Sequence, residues 1–184
     1  MKNYPSLTTS RLLLDQIKIS DITDIVTYAN NKKIVMHTRT MPHPYHEEDA
    51  IAWINMANQG FKSKDSYIFA MRDKSSSAFL GGIGLTLDSP NNRAELGYWI
   101  AEKFWNQGYT TEAVTAILKF GFEALLLNKI VAVYIDTNTA SGKIMEKNGM
   151  MKEAVLKDHD LKDGVYKTLI QYRMLRSEYE SLKN

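Results

Sequence analysis

The sequence contains no cysteine in 184 residues. That absence removes disulfide frameworks, thiolate-ligated zinc and any cysteine nucleophile, and it suits a reducing compartment. Long apolar runs are missing as well. No stretch approaches the roughly 20 residues of a membrane-spanning helix. The first residues carry only Leu12, Leu13 and Leu14 between Arg11 and Asp15, too little for a signal peptide. Nor does one charge dominate: 23 Lys and Arg against 21 Asp and Glu leave a net charge of +2, which argues against gripping nucleic-acid backbone. No repeat, low-complexity tract or Pro/Gly/Ser-rich linker divides the chain. Its length suits one domain over residues 1–184, and folding at this size buries about 70% of the unfolded chain's surface. The expectation is a soluble, cytoplasmic, single-domain protein with no membrane and no nucleic-acid partner.

What is present reads as a mixed α/β layer. Residues 11–17 form a first strand, and Ser20 caps a helix over residues 22–30 through Ile22, Ile25 and Val26. Pro42 and Pro44 make residues 37–45 an irregular loop, and a second helix over 47–58 ends at Gly60. The period then changes to that of strands at 67–71, 79–86 and 93–100. A long helix follows with Ala113, Ile117, Phe120 and Ala124 on one face, then a β-branched, buried and parallel-type strand at 130–135. A short helix runs from Asn138 to Gly149, and strands at 153–157 and 165–174 flank an Asp163-Gly164 hairpin signal.

The segment with most chemical content is Gln107-Gly-Tyr-Thr-Thr-Glu112, at a strand-to-helix junction. Gly108 admits close backbone approach, and the amides of Tyr109, Thr110 and Thr111 point out of the positive end of the helix, a natural phosphate site. The plainer alternative is a tight turn relieved by Gly108 and capped by Thr110 or Thr111. No Gly-Lys-Ser/Thr follows, so this is no nucleotide P-loop, and the three glycines of a dinucleotide fingerprint are absent.

Upstream stands Glu95-Leu-Gly-Tyr-Trp-Ile100, followed by Trp105; downstream, Asn138 and Ser141 precede Lys147 and Gly149. In this order and spacing these elements resemble the GNAT superfamily of acyl-CoA-dependent N-acetyltransferases, and within it the RimJ/RimL-like branch. Thr9-Ser-Arg-Leu12, Pro42-His-Pro-Tyr45 with Trp53, and Leu80-Gly-Gly-Ile-Gly84 extend the resemblance over nearly the whole chain. It implies a bent mixed sheet of about seven strands flanked by about four helices, with acetyl-CoA as co-substrate, no metal, and an amine acceptor: a protein N-terminus or a small molecule. It leaves open monomer or homodimer.

By that resemblance the pantetheine arm lies along Trp99, Ile100 and Ala101, and the pyrophosphate sits on Gln107, Gly108, Tyr109, Thr110 and Thr111. Asn138, Ser141 and Lys147 complete the donor side, although Asn138 also reads as an ordinary N-cap, Ser141 as packing and Lys147 as a partner of the helix dipole. Arg39 and Tyr45 border the acceptor side. His37, His43 and His46 lack the helical spacing of metal ligands.

The amine must lose a proton as it attacks. At pH 7 a lysine-like amine costs about 4.6 kcal/mol to deprotonate and an α-amine only about 1–1.4 kcal/mol. Glu95 is the candidate acceptor, raised into range by burial between aromatic neighbours; otherwise it is a strand carboxylate paired with Arg93 or a lysine. Ser141 is the candidate to assist the sulfur, because Met145 stands where family members commonly carry an acidic tyrosine. Loss of that tyrosine supports a rival reading, a catalytically weak CoA-binding regulatory module.

Overall fold

The computed structural model describes residues 3–183; Met1, Lys2 and Asn184, the ends of the span read as one domain, lie outside the described residues. Eight strands form one sheet: β1 (Leu7–Thr8), β2 (Leu12–Gln16), β3 (Ser66–Asp73), β4 (Phe79–Asp88), β5 (Arg93–Ile100), β6 (Lys129–Ile135), β7 (Met151–Lys162) and β8 (Val165–Leu175). Their order is β1-β2-β3-β4-β5-β6-β8-β7. Every neighbouring pair is antiparallel except β5 and β6. The mixed α/β fold is therefore as expected, with one strand more than the resemblance implied.

Among the described residues, six α-helices cover it: α1 (Ile22–Ala29), α2 (Lys32–His37), α3 (Glu47–Ser63), α4 (Tyr109–Lys119), α5 (Thr139–Lys147) and α6 (Arg176–Ser181). The expectation of about four missed α2 and α6, each only six residues long and too short to display a helical period. Two boundaries also move. Gly60 lies inside α3, which closes at Lys64 in the left-handed region. Ser20 falls in a 3₁₀ turn, Ile19–Asp21, fastened by Asp21 accepting the Lys18 N–H at 2.7 Å.

Alternation along β3 explains the layers. Tyr67, Phe69 and Met71 face the main core with Val114, Ile117 and Phe122; Ala70 faces a second core with Ile25, Ile54, Ala57 and Phe79. A strand buried on both faces reads as an unbroken apolar run, and β3 and β4 do so. At the end of β3, the buried Arg72 guanidinium bonds Asp15 at 2.7 Å and Asp21 at 2.7 Å, anchoring the turn before α1. The hairpin Asp163-Gly164 has both residues at positive φ, 51° and 74°, the geometry of a two-residue turn. β8 matches the expected strand to within one residue, while β7 is longer than the sequence suggested because its exposed polar residues hide the strand period.

Candidate active site

The parallel pairing of β5 and β6 covers four residue pairs, Arg93 with Lys129 through Leu96 with Ala132. Beyond Leu96 the strands separate. On the other side β5 remains paired with β4 as far as Ile100, and the Ala101 N–H donates to the Leu80 carbonyl at 2.9 Å. Backbone groups alternate along a strand, so Trp99 and Ala101 turn theirs toward β4, while Tyr98 and Ile100 turn theirs toward the opening. This shifts the edge expected over Trp99, Ile100 and Ala101 by one residue. The Ile100 carbonyl is already taken by the Trp105 indole N–H at 2.9 Å.

Below the opening, α4 begins at a turn with Gly108 at φ 80°, a region a side chain adopts only with strain. Arg11 secures this turn: its guanidinium donates to the Gln107 carbonyl at 2.9 Å and lies 4.5 Å from the centre of the Tyr109 ring. Glu112 joins the same cluster, accepting from the Thr9 hydroxyl at 2.6 Å and from the Arg11 side chain at 2.7 Å. Burial raises the Glu112 pKa, but those donors outweigh it and hold the carboxyl below its usual value. Glu112 is thus a fastening for the N-terminal arm.

Two cavities flank the opening. One, of about 360 Å³, is lined by Trp99, Ile100, Gly108, Tyr109, Thr110 and Thr111, by Asn138 and Ser141, and by Lys143 and Lys147 on the rim of α5. Gln107 and Ala101 do not line it; the Gln107 side chain folds back to donate to the Lys103 carbonyl at 2.9 Å. The second cavity, of about 690 Å³, is lined by Arg39, Tyr45, Trp53 and Glu95 among others. His37, Thr38, Tyr98, Trp99, Asn138 and Ser141 line both. There the cavities meet.

Several expected environments differ. Glu95 is exposed, not buried between aromatics, and its partner is Arg39 at 2.8 Å instead of Arg93. Arg93 bonds Asp88 at 2.7 Å. The Arg39 guanidinium also holds Asp160 of β7 at 2.6 Å, and this bond is the main reason its pKa is raised. Tyr45 is buried in the second core, and burial pushes its hydroxyl up to about 12. Asn138 both caps α5 and donates to the Ser141 hydroxyl at 3.0 Å, which leaves the serine proton to be given elsewhere. Tyr98, half-buried against the main core, has its hydroxyl pushed up to about 12 by desolvation and donates to the Ser141 carbonyl at 3.4 Å. Met145 packs in the main core, so no hydroxyl reaches the junction from that turn of α5. Sequence reasoning missed Thr38 and Lys143 as wall residues and set His37 aside as lacking the spacing of a metal ligand.

The residues present suit coenzyme A. An opening with free strand-edge groups fits an extended amide-bearing arm, and a glycine turn with two lysines nearby fits phosphate. Comparison with known proteins agrees. The model of the acetyltransferase (GNAT) domain matches residues 11–151. The [ribosomal protein uS5]-alanine N-acetyltransferase of Escherichia coli (strain K12) is 26% identical over 167 residues, covering 88% of this chain and 86% of that protein. The fold superposes on RimL, the ribosomal L7/L12 α-N-protein acetyltransferase solved with coenzyme A, with a TM-score of 0.84, 15% identity, and coverage of 93% and 98%. It likewise matches spermidine N-acetyltransferase from Vibrio cholerae, solved with CoA and spermine, with a TM-score of 0.81, 20% identity, and coverage of 94% and 99%. Among the described residues no helix is long and apolar enough to cross a membrane. The chain belongs to the GNAT acetyltransferases and is an acetyl-CoA-dependent acyltransferase, with RimJ/RimL-type enzymes among the proteins it resembles.

Proposed function

We propose that this enzyme transfers an acetyl group directly to a primary amine, either a protein N-terminal α-amine or a small polyamine, in a ternary complex. The observation that carries this reading is the meeting of the two cavities at Ser141 and Tyr98: one cavity suits the donor and the other opens to an acceptor. Bound acetyl-CoA supplies a reactive thioester. Tyr98 and Ile100 offer backbone groups to its arm, and Tyr109, Thr110 and Thr111 offer amides to its phosphates, with Lys143 and Lys147 adding positive charge.

The acceptor cavity suits a cation. Its aromatic and apolar walls, Tyr45, Trp53 and Trp99, accommodate a hydrocarbon body, while Glu95 and Asp49 supply negative charge. The positive charge of Arg39 is balanced by Glu95 and Asp160. Glu95 attracts the ammonium and, through water, receives the proton that leaves the site. The Ser141 hydroxyl offers a hydrogen bond to the sulfur, which leaves as thiolate, and an α-amine remains the cheapest acceptor to deprotonate.

The test is acetyl-CoA thiol release with a serine-initiated peptide, an alanine-initiated peptide and spermidine. At least one is expected to turn over, and Glu95→Gln should lower kcat/KM about tenfold while leaving CoA affinity unchanged. The buried Met145 favours a second reading, a CoA-binding regulatory module; tight CoA binding with no thiol release from any amine decides for it.

A further inference from the structure

Helix α4 begins with more donors than the chain uses. Among the described residues the N–H groups of Tyr109, Thr110 and Thr111 reach no acceptor, and no side chain caps the turn. The first amide to find a partner is that of Glu112, which donates to the Gly108 carbonyl at 3.1 Å. The unused amides are those assigned above to the donor's phosphates.

The same turn carries a competitor. Glu112 is the acidic residue in the first turn of α4, and a carboxylate there is drawn to the positive end of the helix just as a phosphate is. Burial favours its neutral form, but the surrounding donors outweigh burial and keep it ionised at neutral pH. Left bare, this charge would stand about one helical turn, roughly 5.4 Å along the axis, from those amides and repel an incoming pyrophosphate.

It is not bare. Arg11 donates to the Glu112 carboxylate from its backbone N–H and from Nε, each at 2.7 Å, and the Thr9 hydroxyl adds a third bond at 2.6 Å. Arg11 Nη1 donates to the Gln107 carbonyl at 2.9 Å. Nη2 makes no hydrogen bond among the described residues and lies against Gly108, where a Cβ would meet it at 3.4 Å. One guanidinium thus bridges the carboxylate and the glycine turn.

We propose that Arg11 is a positioning residue of the donor site: by holding and neutralising the Glu112 carboxylate, it keeps the positive end of α4 for the pyrophosphate of acetyl-CoA. This rests on the donor placement above. Arg11 does not line the donor cavity, so it acts through Glu112 and the turn without touching the donor. The contact between the N-terminal arm and α4 then serves donor recognition as well as the fold.

CoA affinity, measured by calorimetry across four variants, tests the assignment. Arg11→Gln bares the carboxylate and should weaken CoA about tenfold. Arg11→Lys keeps the charge without the fork and should stay within about threefold of wild type. Glu112→Gln should bind CoA no more weakly than wild type, and combining it with Arg11→Gln should restore affinity to within about threefold. A purely structural fastening predicts the opposite for the pair, because both changes strip bonds from one turn. A double variant as weak as Arg11→Gln, or Arg11→Lys equally weak, overturns the proposal.

Pantetheine, which lacks the pyrophosphate and the nucleotide, separates this proposal from the reading beneath it. Its affinity, measured by competition with CoA, should not change in Arg11→Gln. A loss shared equally by CoA and pantetheine overturns the role of Arg11 alone. Wild type binding CoA no more tightly than pantetheine overturns the phosphate placement and the proposal with it. Should Arg11→Gln fail to fold, Glu112→Gln decides: affinity at or above that of wild type upholds the proposal, and weaker binding overturns it.

Discussion

The donor and acceptor cavities share a boundary but are made of different materials. The cavity assigned to the donor presents main-chain groups: a strand edge at Tyr98 and Ile100, a glycine turn at Gly108 and the first turn of α4. The cavity assigned to the acceptor presents side chains from the loop after α2, from α3 and from β5, and is clamped by the β7 hairpin through Arg39 and Lys162. A wall of main chain is insensitive to most substitutions and binds the constant part of a reaction. A wall of side chains changes with sequence and selects the variable part.

The largest expected break in this contrast comes at Gly108. A side chain there adopts the left-handed region at a cost of about 1–3 kcal/mol. Gly108→Val should weaken CoA binding by about tenfold or more, by calorimetry, and leave the KM for an amine at saturating CoA unchanged. A raised amine KM with normal CoA affinity would show that the two walls are not separable. On the acceptor side, Asp160→Asn removes half of the clamp on Arg39. About a threefold rise in amine KM is expected, with stability lowered by less than about 1 kcal/mol because the pair is partly exposed, and CoA affinity should not move.

The smallest effect sharpens the donor side. The Glu112 carboxyl has its pKa held below the usual value, so the stability it contributes is present above the ordinary carboxylate pKa, about 4.3, and is lost as pH falls through the lower folded value. Wild type and Glu112→Gln should differ by a constant amount in urea midpoint between about pH 5 and 8, and converge at more acid pH. A difference that grows on acidification contradicts the fastening role.

Legibility in the sequence followed the same division. The donor wall was readable because a glycine before a helix and a Glu-x-Gly-Tyr-Trp strand report backbone geometry locally. Even there, which residues face the opening depended on the partner strand: the Ala101 amide is committed to Leu80, 21 residues away, and nothing local encodes it. The second cavity was less legible. Arg39 and Tyr45 line it, but the partner of Glu95 lies 56 residues upstream and the second partner of Arg39 lies 121 residues downstream. Spacing cannot register such contacts. His37, which lines both cavities, escaped for another reason: α2 is only six residues long and shows no helical period.

The short parallel contact between β5 and β6 has a mechanical side. It divides the sheet into a half of five strands, β1 to β5, and a half of three, β6, β8 and β7, stitched along a seam of four residue pairs. Beyond Leu96 and Ala132 the seam lies open, and Tyr98 on one lip faces toward Tyr134 on the other. A small rotation at the stitched end is magnified at the open end, as in a pair of tongs. The width of the gap thus depends on how residues 93–96 pair with 129–132, and of these eight only Glu95 and Leu96 line a cavity.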